Sequence, residues 1–267
     1  MATKVPENAS GFKPFEDQGI QLPFDAPLFW WTNGDNRGKE VGSGVEHFGG
    51  WATDGALLDA MVHDTQIPAR LIAETQYPRT GASFQVYATR YLVVTPIAKR
   101  FRWVTDRDKP NDKGRGHSQI LCLCAFGKPL EYWMPVVLSA KGLAAMAIDA
   151  AFKSWESETG VARKTWAHGA GAWFFWSRIG TFAKERIEKL VGQKGAQSPI
   201  VEAQIYLPSA EFTEAYLDAL YIGEENVNRM VELKTLSKEW VAAWAATPVS
   251  GENQVYQRSK PDEEIPF

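Results

Sequence analysis

The polar and apolar positions of this chain fall into short runs with a period of two in its first half, and longer runs with a helical period in its second. Between residues 83 and 94, Phe84, Val86, Ala88, Arg90, Leu92 and Val94 fall on one face and Tyr87, Thr89, Tyr91 and Val93 on the other, which predicts a strand. Residues 117–126 and 130–138 read as a second pair of strands, joined at Gly127-Lys128-Pro129. Pro27-Leu28-Phe29-Trp30-Trp31 predicts a short aromatic strand, the Gly-rich stretch 34–44 predicts turn and loop, and 44–51 and 69–77 are further candidate strands. Helical spacing of Leu143, Met146, Ala147, Ala150, Ala151 and Trp155 predicts a helix over 140–157. Val201, Ala203, Ile205 and Leu207 share one side of a strand expected over 199–207. Ser209 is placed to cap a helix over 211–222, with Glu211 in its first turn. A last helix over 226–246, ended by Pro248, buries Val227, Met230, Leu233, Trp240 and Trp244.

Strands followed by helices predict an α+β fold whose N-terminal part is a β-barrel-like sheet. An oligonucleotide-binding (OB) barrel is one such solution; periodicity does not choose between it and another small barrel or a half-open sheet. The organisation expected is an irregular, Pro- and Gly-containing arm over 1–25, a single α+β nucleic-acid-binding domain over 26–246, and a linker with a disordered acidic tail over 247–267. With 45% hydrophobic and 12% aromatic residues, the chain can bury a large core. No apolar run is long enough to span a bilayer and no secretion signal is legible, so a cytoplasmic protein without a membrane partner is expected. Cys122 and Cys124 alternate within an apolar run, share a face, and read as buried small hydrophobes rather than zinc ligands.

The formal net charge of −3 argues by itself against a nucleic-acid binder, but its distribution changes that picture. Residues 1–64 carry four basic side chains against ten acidic ones, whereas 99–117 carries seven against three and 161–194 seven against two. Single strands are held by pairing cations with aromatic faces on which bases stack. Lys99-Arg100-Phe101-Arg102-Trp103 interleaves the two, with Lys99, Phe101 and Trp103 on one side of an extended chain and Arg100 and Arg102 on the other. The bland reading puts Phe101 and Trp103 in the core with the cations as their solvated face. Arg107, Lys109, Lys113 and Arg115 lie in an exposed loop over 106–116, a candidate flap. A second group joins Trp166, Trp173 and Trp176 with Arg163, Lys164 and Arg178; Trp173 to Trp176 is too dense in aromatics for all four to face one core. Trp30, Trp31, Trp51 and Tyr91 are weaker candidates.

The last six residues, Asp262-Glu263-Glu264-Ile265-Pro266-Phe267, cannot join a core without burying their carboxylates. Outside it they offer an aromatic plug and a cluster of negative charge, suited to an apolar pocket rimmed by Lys or Arg on another protein. This ending resembles the C-terminal tip of bacterial single-stranded DNA-binding proteins; the body shows no such resemblance. The resemblance implies sequence-non-specific binding of single-stranded DNA and recruitment of replication and repair proteins through the tip; the unfamiliar body points to a phage or plasmid source, and a homo-oligomer is expected. A strand-annealing or recombination-mediator protein uses the same residue types. A different class of alternative is a metal-dependent nuclease carrying a docking tail, for which His47, Asp54 and Asp59 are the available triplet. No phosphate-binding loop, dinucleotide fingerprint, nucleophile elbow or metal-ligand spacing is present, so no catalytic residue, metal or cofactor is assigned.

Overall fold

The computed structural model describes residues 21–32, 38–40, 46–47, 50–54, 72–76, 83–104, 114–126, 132–166, 174–182, 189–191, 198–206 and 212–245. The apolar stretches at its centre form three antiparallel strands, β7 (Tyr91–Val104), β8 (Arg115–Phe126) and β9 (Tyr132–Lys141). Strand β8 is buried on both faces from Gly116 to Ala125, which is why its sequence reads as a continuous run rather than an alternation. Beyond β9 lies β1 (Leu28–Thr32) in parallel, then β4 (Gly50–Asp54) and β6 (Ser83–Thr89), each antiparallel to its neighbour.

Only Arg90 separates β6 from β7, yet β6 pairs with β4 and β7 with β8, at the two ends of this series. The covalent chain therefore forces the sheet to curl until its ends meet. Strand β10 (Ser177–Gly180) adds to the outer edge of β7, so in a flat sheet β4 and β10 would stand five strand spacings apart, about 24 Å. Instead the Trp51 indole N–H of β4 donates to the Ile179 carbonyl of β10 at 2.9 Å. The remaining strands extend the sheet: β13 (Gln204–Ile205) beside β10, and β5 (Ile72–Gln76), β2 (Gly38–Glu40) and β3 (Glu46–His47) beyond β6. Strands β11 (Lys189–Val191) and β12 (Ser198–Ile200) form a separate pair.

The concave side holds Phe29, Trp31, Trp51, Leu92, Val94, Cys122, Cys124 and Leu138, all in one core. The two free thiols are fully buried, and burial pushes both of them up, Cys124 adding to the effect on Cys122. Helix α1 (Leu143–Thr165) closes this core with Ala144, Ala145, Ile148, Ala151, Phe152 and Trp155. Three shorter helices follow, α2 (Glu214–Leu220), α3 (Glu224–Leu236) and α4 (Lys238–Ala245). No helix among the described residues is long and apolar enough to cross a membrane.

The α+β class expected from the pattern is the class observed, with several displaced boundaries. The strand expected over 83–94 is broken at Arg90, and the break exchanges faces: Ala88 packs with Ala52 and Trp30, whereas Leu92 and Val94 join the main core. The helix expected from residue 140 begins at Leu143, because β9 stays paired with β8 through Lys141, and it runs on to Thr165. The strand expected over 199–207 is split between β12 and β13, although Val201, Ala203 and Ile205 do share a buried side. Thr213, accepting from the Tyr216 N–H at 3.2 Å, caps α2; Ser209 lies outside the described residues. The single C-terminal helix is two, parted at Ser237. Of the expected arm, residues 21–25 are irregular, with Leu22 and Phe24 resting on the core, and 1–20 lie outside the described residues, as do 247–267.

At the corner, the Thr181 N–H donates to the Arg90 carbonyl at 2.8 Å, and a Cβ on Gly180 would stand 2.0 Å from that oxygen and 2.4 Å from Tyr91 Cα. Backbone atoms cannot yield as a flexible side chain does. Gly180→Ala is therefore expected to lower unfolding free energy by more than about 2 kcal/mol in urea titrations; a loss under about 0.5 kcal/mol would show that the corner is not under this constraint.

Candidate nucleic-acid interface

The distribution of side chains on β7 turns on one residue. Pro96 has no N–H to give the ladder, and the register with β8 shifts between Pro96 and Ala98, leaving Ile97 as an extra residue. A shift by one exchanges the faces of everything beyond it. Lys99, Phe101 and Trp103 consequently continue the concave face of Leu92 and Val94, and Arg100 and Arg102 continue the outer face of Val93 and Thr95.

The alternation expected within 99–103 is present, but its burial is the reverse of the bland reading. Phe101 is 47% and Trp103 36% exposed, at the end of the concave face that α1 does not cover. Their rings stand 6.4 Å apart, and Phe101 lies over Gly116, where a Cβ would meet its ring at 2.7 Å. Lys99 forms an ion pair with Asp149 of α1. The Gly142 N–H, at the start of α1, donates to the Gly116 carbonyl at 2.7 Å, and Leu143 and Met146 in the first turn of the helix are exposed. Arg115 is exposed at the start of β8.

Arg100 is 8% exposed. Its guanidinium lies between Trp240 and Trp244 of α4, 4.1 and 4.3 Å from the ring centres, while its Nε donates to Gln119 and an Nη to the Trp240 carbonyl. Arg102 stands 4.4 Å over Trp244. These two cations, expected among the DNA contacts, are turned under a helix in this conformation because the bulge directs them there.

A second aromatic group surrounds Arg178 on the outer face of β10. Tyr91, Trp176 and Tyr206 have ring centres 5.6 to 5.8 Å from its guanidinium. Phe182 joins Tyr91 and Tyr206 at 5.7 and 5.5 Å. Tyr91 and Tyr206 are 43% and 42% exposed, and Trp155, Tyr216 and Leu220 help to line a cavity of about 50 Å³ beside Arg178. Burial and Tyr206 push the Tyr216 phenol up against the opposing pull of Arg178. Tyr206, Phe182 and Tyr216 were not singled out from the sequence, because isolated aromatics far apart in the chain carry no spacing signal.

The remaining candidates divide further. Trp166 belongs to the core: its indole donates to Asp218 at 2.7 Å and its ring packs on Phe175 and Tyr221. Arg163 bonds Thr159 and the Glu156 carbonyl within α1, burial drawing its guanidinium below its usual range with Glu156 opposing; with the exposed Lys164 it suits the negative end of the helix. Trp31 and Trp51 are core residues, their rings meeting edge to face at 5.0 Å. Arg107, Lys109, Lys113, Trp173 and Asp262 to Phe267 lie outside the described residues. The two aromatic groups stand ten residues apart along β7, about 33 Å of strand, and on opposite faces.

Compared with protein-family models, curated proteins and solved structures, the chain matches none.

Neighbours on one strand should thus respond in opposite ways. Arg100→Ala is expected to cost about 2–4 kcal/mol, since it leaves a gap between two indoles and strands the acceptors on Gln119 and Trp240. Phe101→Ala should cost about 1 kcal/mol or less. Urea unfolding of both variants checks the contrast, and equal losses would contradict the assignment of faces.

Proposed function

We propose that this chain binds single-stranded DNA without sequence preference and recruits replication and repair proteins through residues 262–267. The observation that carries the reading is the pair of exposed rings, Phe101 and Trp103, at the end of a strand that leads straight into a cationic segment. Flat apolar faces beside positive charge are what unstacked bases and their phosphates require. Two further features support it. Counting β6 and β7 as one bent strand, the curled part of the sheet has five members (β6–β7, β8, β9, β1 and β4), the number of an OB barrel. In chain order 105–113 joins the third and fourth of these members, so the likeness to such a barrel is one of strand number and not of connectivity. The Arg178 group supplies a second stacking surface on the outer side.

Fluorescence anisotropy of labelled oligo-dT tests this directly. Tight binding that weakens steeply between 50 and 200 mM salt is expected. Replacing Phe101 and Trp103 together by Ala should weaken it at least tenfold with the fold intact, from about 1–3 kcal/mol per stacked base. Full affinity in that variant, or equal affinity for duplex DNA, would remove the reading.

The division of labour has its own measurement. A chain ending at residue 261 should keep or improve its affinity for oligo-dT while losing capture of replication and repair proteins, because the acidic tip competes with phosphate for the same cations. Loss of oligo-dT binding on this deletion would refute it.

A further inference from the structure

The outer face of β7, β8 and β9 changes character along its length. Ala98, Leu121, Leu123 and Val137 make it apolar in the middle. Arg229 of α3 donates to the Trp133 carbonyl of β9 at 2.7 Å, holding that helix to the sheet, while Met230 and Leu233 enter the core. Towards the Val104 end, the same face presents cross-strand rows of polar residues: Arg100, Gln119 and Ser139 in one, Arg102, His117 and Lys141 in the next. Arg115 is exposed at the rim. A surface this cationic would stand in water if left to itself. It is covered by α4, eight residues long and parted from α3 at Ser237.

What α4 places on this surface has the chemistry of a nucleic-acid strand. Two flat rings, Trp240 and Trp244, hold a guanidinium between them; a carbonyl accepts from it; and Trp244 also lies 4.8 Å from the His117 ring. The cover is imperfect. The Gln119 side-chain Nε2 and the Trp244 indole N–H are buried without hydrogen-bond partners, although His117 and Ser139 bond each other at 2.9 Å. Each unmet donor is a cost of this contact that the stacking and burial of the two indoles must offset. A single strand offers Arg100 and Arg102 ring faces like those of α4, and adds what α4 lacks there, base-edge acceptors for Gln119.

We propose that the outer face beneath α4 is a second binding site for single-stranded nucleic acid, and that α4 is its resident occupant, displaced when a strand enters. This rests on the reading of the chain as a single-strand binder, whose first contact is the exposed Phe101 and Trp103. Trp240 and Trp244 exchange with bases for the same guanidinium faces, so the covered site opens only where a strand is already held nearby.

Two measurements on the full chain test the proposal. Hydrogen exchange followed by mass spectrometry, with and without saturating oligo-dT, should show residues 238–245 losing protection on binding while 224–236 keep theirs; unchanged or greater protection of 238–245 would overturn it. In the second, Trp240→Ala with Trp244→Ala should tighten oligo-dT binding at least fivefold, and adding Arg100→Ala should abolish that gain. Unchanged or weaker binding in a double variant that still melts cooperatively would also overturn it, and if that variant does not fold, the exchange measurement on the unaltered chain decides. Absence of oligo-dT binding by the unaltered chain and by the double variant alike would remove the function and the site together. Binding that is lost with Phe101 and Trp103 but indifferent to α4 would remove only the second site.

Discussion

The structure depends on a constraint of chain continuity. One residue, Arg90, joins a strand paired with β4 to a strand paired with β8, and those partners stand at opposite ends of a run of pairings through β9 and β1. A flat sheet cannot satisfy this, so the sheet curls, and the curl defines an inside. Trp51 and Trp31 fill that inside because it is wide enough for indoles, and the Trp51 N–H finds its acceptor on β10, across the space the curl encloses. Gly180 follows from the same constraint, since the corner brings the Arg90 carbonyl to where a side chain would otherwise stand.

Continuity fixes the shape, and a single extra residue in β7 fixes its chemistry. Had the ladder run without interruption past Pro96, Phe101 and Trp103 would face α4, and Arg100 and Arg102 would emerge beside α1. The bulge puts hydrophobic rings toward solvent and cations under tryptophan. Each outcome is locally unfavourable for a domain that only has to fold: exposed aromatics forgo burial, and a buried cation costs solvation that stacking and two hydrogen bonds must offset. Both departures lie within four residues of each other and next to a segment rich in Lys and Arg, so the stability that offsets them comes from the rest of the fold.

Much of this was legible in the residues. The apolar runs of β8 and β9, the helical stripe of α1 and the buried Met230, Leu233, Trp240 and Trp244 follow from periodicity, because each element meets a continuous core. The alternation within 99–103 was legible too, but not its sense: periodicity says which side chains share a face, and the bulge at Ile97 decides which face is buried. The bend at Arg90 was hidden for a related reason. Apolar alternation continues through it while the faces are exchanged, so 83–94 reads as one strand. Trp166 shows the opposite limit, since an indole flanked by Arg163 and Lys164 looks available until Asp218, distant in sequence, supplies its acceptor. The Arg178 group was half visible, its cation and Trp176 from the sequence and Tyr206 and Phe182 only once β13 was set against β10.

The two aromatic groups and the covered face meet at β7, and its geometry constrains how one strand of nucleic acid would use them under the proposed function. Phe101 and Trp103 occupy the concave side at one end, Tyr91 the outer side at the other, and Arg100 with Arg102 the outer side in between. A polymer contacting all three must cross the sheet edge near Val104 and then run back along the outer face, over the place where α4 lies. Without movement of α4 it can engage only the two ends, about 33 Å of strand apart. Cation and ring contacts would suit the proposed replacement of this cover, since a guanidinium stacks on a base as well as on an indole. An apolar cover over apolar strands would bind at least as strongly and offer an incoming strand nothing in exchange. The polar composition of the covered face is what the proposed exchange of occupants would require.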